Sequence, residues 1–323
     1  MPFMRKDMVK DIREMLLKAD FKVSHIHDMR SVSFDLVARR DNTVLFLKAV
    51  TNIDAFSEEN AEELKLLSRI LGGSPIAIGL HSGSGQLDDD VVYTRFSIPI
   101  MTPSTFHQFV LEDVPPIVVA APGGYYVKLD GKLLREIREE RGISLGELAD
   151  RVGVSRRSIQ LYEEGGRRAL VDVAMRIEDC LDIPLSCPVD PLEAEYEIKL
   201  EVIRDSLSDV ALFCQEAFTH LMQTGCHIIS TSRSPFETVV EEKQDVMLTG
   251  VAKYERTLLK KAKVIGDVSC IIERQSMVVV DRRPRRESIE GTAVVGVKEI
   301  LERGSLEDIL ELIQERAKND HKK

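Results

Sequence analysis

The sequence predicts a multidomain chain of the α+β class, in which a small all-helical domain sits between two α/β domains. Three observations lead there. The 323 residues exceed one ordinary domain. Apolar residues recur with alternating strand and helix periods both before residue 115 and after residue 190. Between them, Gly142 to Gly165 carries the punctuation of two short helices joined by a tight turn.

The first α/β domain spans residues 1–114. Val9, Ile12, Met15 and Leu16 mark a helix over residues 4–19, and Lys22–Ile26, Val32–Ala38 and Val44–Val50 read as strands, with Asp41-Asn42 turning between the last two. Glu58–Leu71 reads as a helix stopped by Gly72-Gly73, and Ile76–Leu80 as a short buried strand. Ser82-Gly83-Ser84-Gly85 is expected to be a flexible loop; it lacks the lysine and following helix of a phosphate loop. Ile98–Met101 would be a strand, Pro103–Leu111 a helix, and Pro115-Pro116 a boundary. Residues 115–130 then hold a linking hairpin, Ile117–Ala121 and Tyr125–Leu129, turned by Pro122-Gly123-Gly124.

The central domain is expected over residues 131–189, with its motif at 143–162. Ser144 followed by Glu147 is a capping-box spacing that starts a helix near Leu145. Ala149 stands where a second helix must cross closely, and Gly153 supplies the positive φ of a sharp turn. Ser155 caps the next helix, 155–164. Leu148, Val152, Val154, Ile159 and Tyr162 are spaced to bury one face of each helix, leaving Arg156, Arg157, Ser158 and Gln160 near an exposed N-terminal end. Those side chains suit base edges and phosphates. An ordinary helical hairpin with a solvated basic face, or a motif turned to RNA or protein contacts, is the alternative.

The pattern Ser-Leu-x-x-Leu-Ala-x-x-x-Gly-Val-Ser-x-x-x-Ile-x-x-Tyr-Glu-x-Gly, from Ser144 to Gly165, resembles the Xre, or phage-repressor, type of helix-turn-helix. The resemblance covers about Asp130 to Pro191 and implies flanking helices over Lys132–Arg141 and about Leu170–Leu181. It also implies a second motif helix that enters the major groove, with base contacts at Arg156, Arg157 and Gln160 and phosphate contacts at Ser144, Ser155, Ser158 and Arg167. The run Gly123-Gly124-Tyr125-x-Val127-x-Leu129-Asp130-Gly131, leading into Leu134-Arg135-x-x-Arg138-Glu139-x-x-Gly142, is similar to a group of archaeal helix-turn-helix regulators. The implied partner is double-stranded DNA, read by a homodimer.

The net charge of −10 looks wrong for a DNA binder until it is divided along the chain. Between Arg151 and Arg168 five arginines face two glutamates, so a local basic face stands against acidic flanks. The five cysteines, Cys180, Cys187, Cys214, Cys226 and Cys270, are odd in number and form no C-x-x-C pair, which argues against a disulfide framework or a zinc ribbon. Reduced thiols, mostly in cores, are expected. No run of 18 apolar residues occurs, so a cytoplasmic protein without a membrane partner is expected. No cofactor and no metal are expected, and no small-molecule effector is specified.

Residues 190–323 are expected to repeat the plan of the first segment, the alternative being two α/β domains that only share short apolar runs. At an offset of 202, Leu16 meets Phe218, His25 meets His227, Phe34 meets Phe236, Asp35 meets Glu237 and Val44 meets Val246. At an offset of 194, Gly72 meets Gly266, Ile76 meets Cys270 and Ile78 meets Ile272. Each half is then expected to run helix, three strands, helix, two strands, helix. Glu193 to Thr224 has a long helical pattern.

Asp35, followed by Phe46-Leu47-Lys48, resembles the Asp…(Glu/Gln)-x-Lys signature of restriction-endonuclease-like and junction-resolving nucleases. In that superfamily two carboxylates hold magnesium and the lysine assists a water, but Phe46 stands where the second carboxylate or glutamine belongs. The resemblance therefore implies the fold without the activity. In the second half the same positions are Glu237, Leu248 and Gly250, and lysine chemistry is expected to be missing. His25-x-His27, on a predicted strand, suits a metal pair or a structural histidine. Arg282-Arg283-Pro284-Arg285-Arg286 suits either phosphate contacts or a solvated loop. The expected function is that of a sequence-specific transcriptional regulator and not an enzyme; the alternatives are a metal-dependent nuclease using Asp35 and Lys48, or a protein-binding adaptor.

Overall fold

A computed structural model describes residues 5–26, 33–193, 196, 207, 210–242, 245–303 and 305–320. The first segment runs α1 (Arg5–Lys18), β1 (Lys22–Val23), β2 (Leu36–Arg40), β3 (Thr43–Asn52), α2 (Glu58–Leu71), β4 (Ser74–Ser82), β5 (Gly85–Gln86), β6 (Val91–Arg95), β7 (Ile98–Met101) and α3 (Pro103–Leu111). Helix α2 begins where the Ser57 hydroxyl accepts the Asn60 N–H and ends where Gly72 turns left-handed. The middle runs β8 (Val118–Ala121), β9 (Gly124–Leu129), α4 (Gly131–Glu140), α5 (Leu145–Val152), α6 (Arg156–Glu163), β10 (Ala169–Leu170), α7 (Val171–Leu181) and β11 (Ser186–Cys187). The last segment runs α8 (Leu212–Gln223), β12 (His227–Ser230), β13 (Thr238–Glu242), β14 (Asp245–Ala252), α9 (Arg256–Ile272), β15 (Gln275–Val280), β16 (Ser288–Ile289), β17 (Thr292–Gly296), α10 (Val297–Leu301) and α11 (Leu306–Asp320).

The chain divides into two units. The first comprises residues 1–49, 57–75 and 196–323, and the second residues 50–56 and 76–195.

In the first unit, β1, β2 and β3 form an antiparallel ladder in which Val23 faces Ala38 and Leu36 faces Leu47. Met8, Val9, Ile12 and Leu16 line the buried face of α1. Strands β12, β13 and β14 repeat that antiparallel ladder, β15 and β17 continue it in parallel, and β16 closes it antiparallel to β17. Phe218 and Leu221 of α8, Met277 and Val279 of β15, and Ile309 and Ile313 of α11 bury together around this second sheet. The two parts of this unit also meet through polar groups. The buried Glu63 carboxylate accepts hydrogen bonds from the N–H groups of Ser232 (3.2 Å) and Arg233 (2.8 Å) and from the hydroxyls of Ser232 (3.1 Å) and Ser234 (2.7 Å).

In the second unit, β4 pairs in parallel with β7, β6 lies antiparallel to β7, and β8 joins β6 in parallel. Strands β8 and β9 form the expected hairpin, in which Ala120 faces Tyr125. The outer strand β9 then pairs with β10 and with β11. The central domain is therefore helical with a small sheet attached, a correction to the all-α expectation: two-residue strands from its own loops satisfy backbone groups along β9 that would otherwise be unpaired.

Other expectations change as well. The offset of 194 fails, because Cys270 and Ile272 lie in α9 and the matching strand, β15, begins only at Gln275. Gly266 does not stop that helix; a Cβ there would stand 2.7 Å from the Glu290 carbonyl, so it marks a close crossing. Strand β1 ends at Val23, short of Ile26. Of the cysteines, Cys214 and Cys226 are buried, Cys180 and Cys187 are half-buried and Cys270 is exposed, so fewer than expected lie in cores. The long helix expected over Glu193–Thr224 is described only from Leu212 to Gln223; most of its earlier part lies outside the described residues.

Candidate nucleic-acid interface

The central motif folds as its local chemistry dictates. The Ser144 hydroxyl accepts the Glu147 N–H at 3.1 Å and starts α5. Glu147 turns its carboxylate to Arg151 (2.5 Å), one turn along the same helix. Gly153, at φ +73°, ends α5 in the left-handed region and directs the chain into α6. There the Ser155 hydroxyl accepts the Ser158 N–H at 3.0 Å and meets the Ser158 hydroxyl at 2.9 Å.

The two helices bury one continuous face. Leu148, Ala149 and Val152 of α5 and Ile159 and Tyr162 of α6 pack with Leu134 of α4 and with Ala174, Ile177 and Leu181 of α7. Full burial of each large aliphatic side chain stabilises by about 1.5–3 kcal/mol. At its other end α6 is locked by an ion pair: Arg138 Nε donates to Glu163 Oε1 at 2.6 Å and Arg138 Nη2 to Glu163 Oε2 at 3.1 Å. Gly131, at the start of α4, lies so close to α6 that a Cβ would stand 2.8 Å from the Glu163 carbonyl carbon.

With that face buried, Arg156 and Arg157 on the first turn of α6 are exposed, as are Ser144, Ser155 and Arg167. Ser158 and Gln160 are half-buried, and the Gln160 amide donates to Glu164 at 2.7 Å. The N-terminal end of α6 carries the positive end of the helix dipole beside two guanidinium groups, an arrangement that favours anions.

The nuclease-like positions lie in the first unit. Asp35 Oδ2 accepts the Ala49 N–H at 2.8 Å, and Oδ1 pairs with Arg5. Lys48 Nζ lies 3.9 Å from Asp35 Oδ2. Burial, only partly offset by Asp35 and reinforced by Arg5 and Arg233, holds the Lys48 ammonium below its ordinary 10.5. Phe46 is fully buried and packs edge-on against Phe34 at 5.6 Å, so the place of the second carboxylate belongs to the core. Among the described residues, no three His, Cys, Asp or Glu side chains are placed to hold a metal.

The second half holds a partial echo. Glu237 Oε2 accepts the Val251 N–H at 2.6 Å, spanning the same 14 residues as Asp35 and Ala49. A lysine does reach this carboxylate, contrary to expectation. Lys261 of α9 pairs with Glu237 and donates to the Val251 carbonyl at 2.7 Å. Sequence spacing missed it because the lysine comes from a helix and not from the strand position held by Gly250. His25 is off the strand, and its Nδ1 lies 2.8 Å from Asp267; His27 lies outside the described residues.

Comparison with known proteins gives two family matches and a set of full-length relatives. Residues 134–186 match the helix-turn-helix family, and residues 5–116 match the PD-(D/E)XK superfamily domain. A protein of Methanococcoides burtonii is 38% identical, with 98% of each chain covered. One of Haloarcula marismortui is 37% identical, also with 98% of each covered, and one of Methanocella arvoryzae is 36% identical with 97% of each covered. All three bear the name putative HTH-type transcriptional regulatory protein. No solved structure matches the chain. No helix among the described residues is long and apolar enough to cross a membrane.

Proposed function

The chain belongs to the family of archaeal HTH-type transcriptional regulatory proteins, and we propose that it reads specific double-stranded DNA sites as a homodimer, with residues 155–164 in the major groove. One observation carries this reading: the apolar face of α6 is buried while Arg156 and Arg157 on its first turn are exposed. Arginine forks pair with the O6 and N7 of guanine, and Gln160 suits adenine. Ser144, Ser155, Ser158 and Arg167 take the phosphates that fix the register. A two-fold dimer presents its reading helices about 34 Å apart, so the site is palindromic. Selection of bound duplexes from a random pool tests this; enrichment of a palindrome supports it, and an unenriched pool overturns it.

The flanking segments are read as degenerate, duplicated nuclease-like domains over residues 1–114 and 190–323, with the hairpin at 115–130 leading into the DNA-binding domain at 131–189. The matched hydrogen bonds of Asp35 to Ala49 and of Glu237 to Val251 support a common origin. Phe46 in the core leaves a hard cation short of oxygen ligands, which favours binding without cleavage. DNA incubated with the protein and magnesium or manganese is expected to stay intact; cleavage lost in Lys48→Ala would reverse this conclusion.

A further inference from the structure

The four arginines between β15 and β16 belong to the first unit and are used by nothing described so far. Arg282, Arg283, Arg285 and Arg286 are exposed, while Pro284 between them is buried. Tyr254 organises the loop. Its hydroxyl accepts the N–H groups of Arg285 (3.0 Å) and Arg286 (3.1 Å), and its own N–H donates to Asp281 (3.1 Å). Its ring lies 5.0 Å beneath the Arg282 guanidinium, which also donates to the Tyr254 carbonyl at 2.8 Å. The loop is thus held through its backbone and through Arg282, and Arg283, Arg285 and Arg286 remain exposed.

Nearby acids are already engaged. Glu287 lies 3.5 Å from the buried Arg316, and Glu299 is hydrogen-bonded by the same arginine. Four arginines within five residues, in a chain of net charge −10, concentrate positive charge at one exposed loop. Planar forks of this kind match phosphate oxygens. The Tyr254 ring is covered by Arg282, so the loop offers no stacking platform for single strands, and it lacks the amphipathic helix that a lipid surface would need.

We propose that this loop is a second phosphate-binding surface for duplex DNA, sequence-independent and separate from α6. The choice of duplex DNA as ligand rests on the helix-turn-helix reading. Affinity of the full chain for a random-sequence duplex, measured between 50 and 200 mM salt, tests it in wild type, in Arg283→Ala/Arg285→Ala/Arg286→Ala and in Arg156→Ala/Arg157→Ala. Two to three phosphate contacts make the salt-induced loss roughly 10- to 40-fold smaller in the triple variant than in wild type. Replacing the same three arginines by lysine restores most of the slope, and every variant still unfolds in a cooperative thermal transition. The Arg156→Ala/Arg157→Ala protein keeps the loop's share of the slope. Should that protein also bind a selected duplex like wild type while the triple variant loses affinity, the α6 assignment fails and the loop assignment stands. An unchanged slope in the triple variant overturns the loop assignment alone, and equal losses on single-stranded RNA overturn duplex as its ligand.

Discussion

Arg138 and Glu163 form a two-point ion pair that joins α4 to the end of α6, with side-chain exposures of only 9% and 2%. The same guanidinium donates to the Ile143 carbonyl at 2.9 Å, in the turn before α5. One side chain therefore fixes three elements of the helix-turn-helix. Replacing Glu163 by Gln leaves the buried Arg138 with only the more exposed Glu139 (3.3 Å) and the Ile143 carbonyl, and is expected to cost about 3 kcal/mol in denaturant unfolding. Arg138→Met combined with Glu163→Leu recovers most of that loss, because an apolar pair needs no desolvation of charge.

Glu299 gives the fold a pH dependence. Burial opposes its ionisation, but hydrogen bonds from Arg316 and the Gly296 N–H, with the nearby charges of Arg316 and Arg283, outweigh it and hold the carboxyl below its ordinary 4.5. A depressed carboxylate contributes stability that is present above the unfolded value and lost as pH falls through the folded one. Glu299→Gln is therefore less stable than wild type from pH 7 down to about 5, and the gap narrows as the pH falls below about 4.5. A gap that stays constant from pH 7 to about pH 3 would contradict the assignment.

Thiol labelling separates two cysteines of the same half. Cys270 is exposed, whereas burial, with a smaller effect of Glu237 and Asp281, pushes the Cys214 thiol up to about 12. At pH 8 Cys270 reacts with a thiol reagent in the native protein, and Cys214 reacts only as fast as its domain unfolds. Mass mapping of the labelled sites over time reads this directly.

Contacts to bases and to phosphates make different predictions. Arg156→Ala or Arg157→Ala costs about 1–3 kcal/mol on a selected site and relaxes preference at one or two positions. Arg167→Ala weakens every sequence alike and lowers the salt slope by about one. Titrations of a cognate and a scrambled duplex with each variant distinguish the two roles.

The helices of the interface were legible because their ends are local. Ser57, Ser144 and Ser155 cap within three residues, and Gly72 and Gly153 close helices by their own left-handed φ. Longer-range pairing left no such signal. The strands β10 and β11 are two residues each and exist only because β9 lies beside them. In α9, the buried Val264, Ile265, Val268, Ile271 and Ile272 are dense enough to be read partly as a strand, which produced the false offset of 194. The pairing of Lys261 with Glu237 spans 24 residues and two elements, and the clasp of Glu63 on Ser232 and Arg233 spans 169 and 170. The exposure of Arg156 and Arg157 followed from helical spacing alone, because the apolar face of α6 leaves them only one side.

The most direct test of α6 as the reading helix is N7-guanine methylation interference on a duplex selected by the protein, since that nitrogen lies in the major groove. Interference is expected at one or two guanines in each half of a palindrome, abolished in Arg156→Ala/Arg157→Ala. Interference that persists unchanged in that variant, or none at any guanine of a tightly bound site, would contradict it.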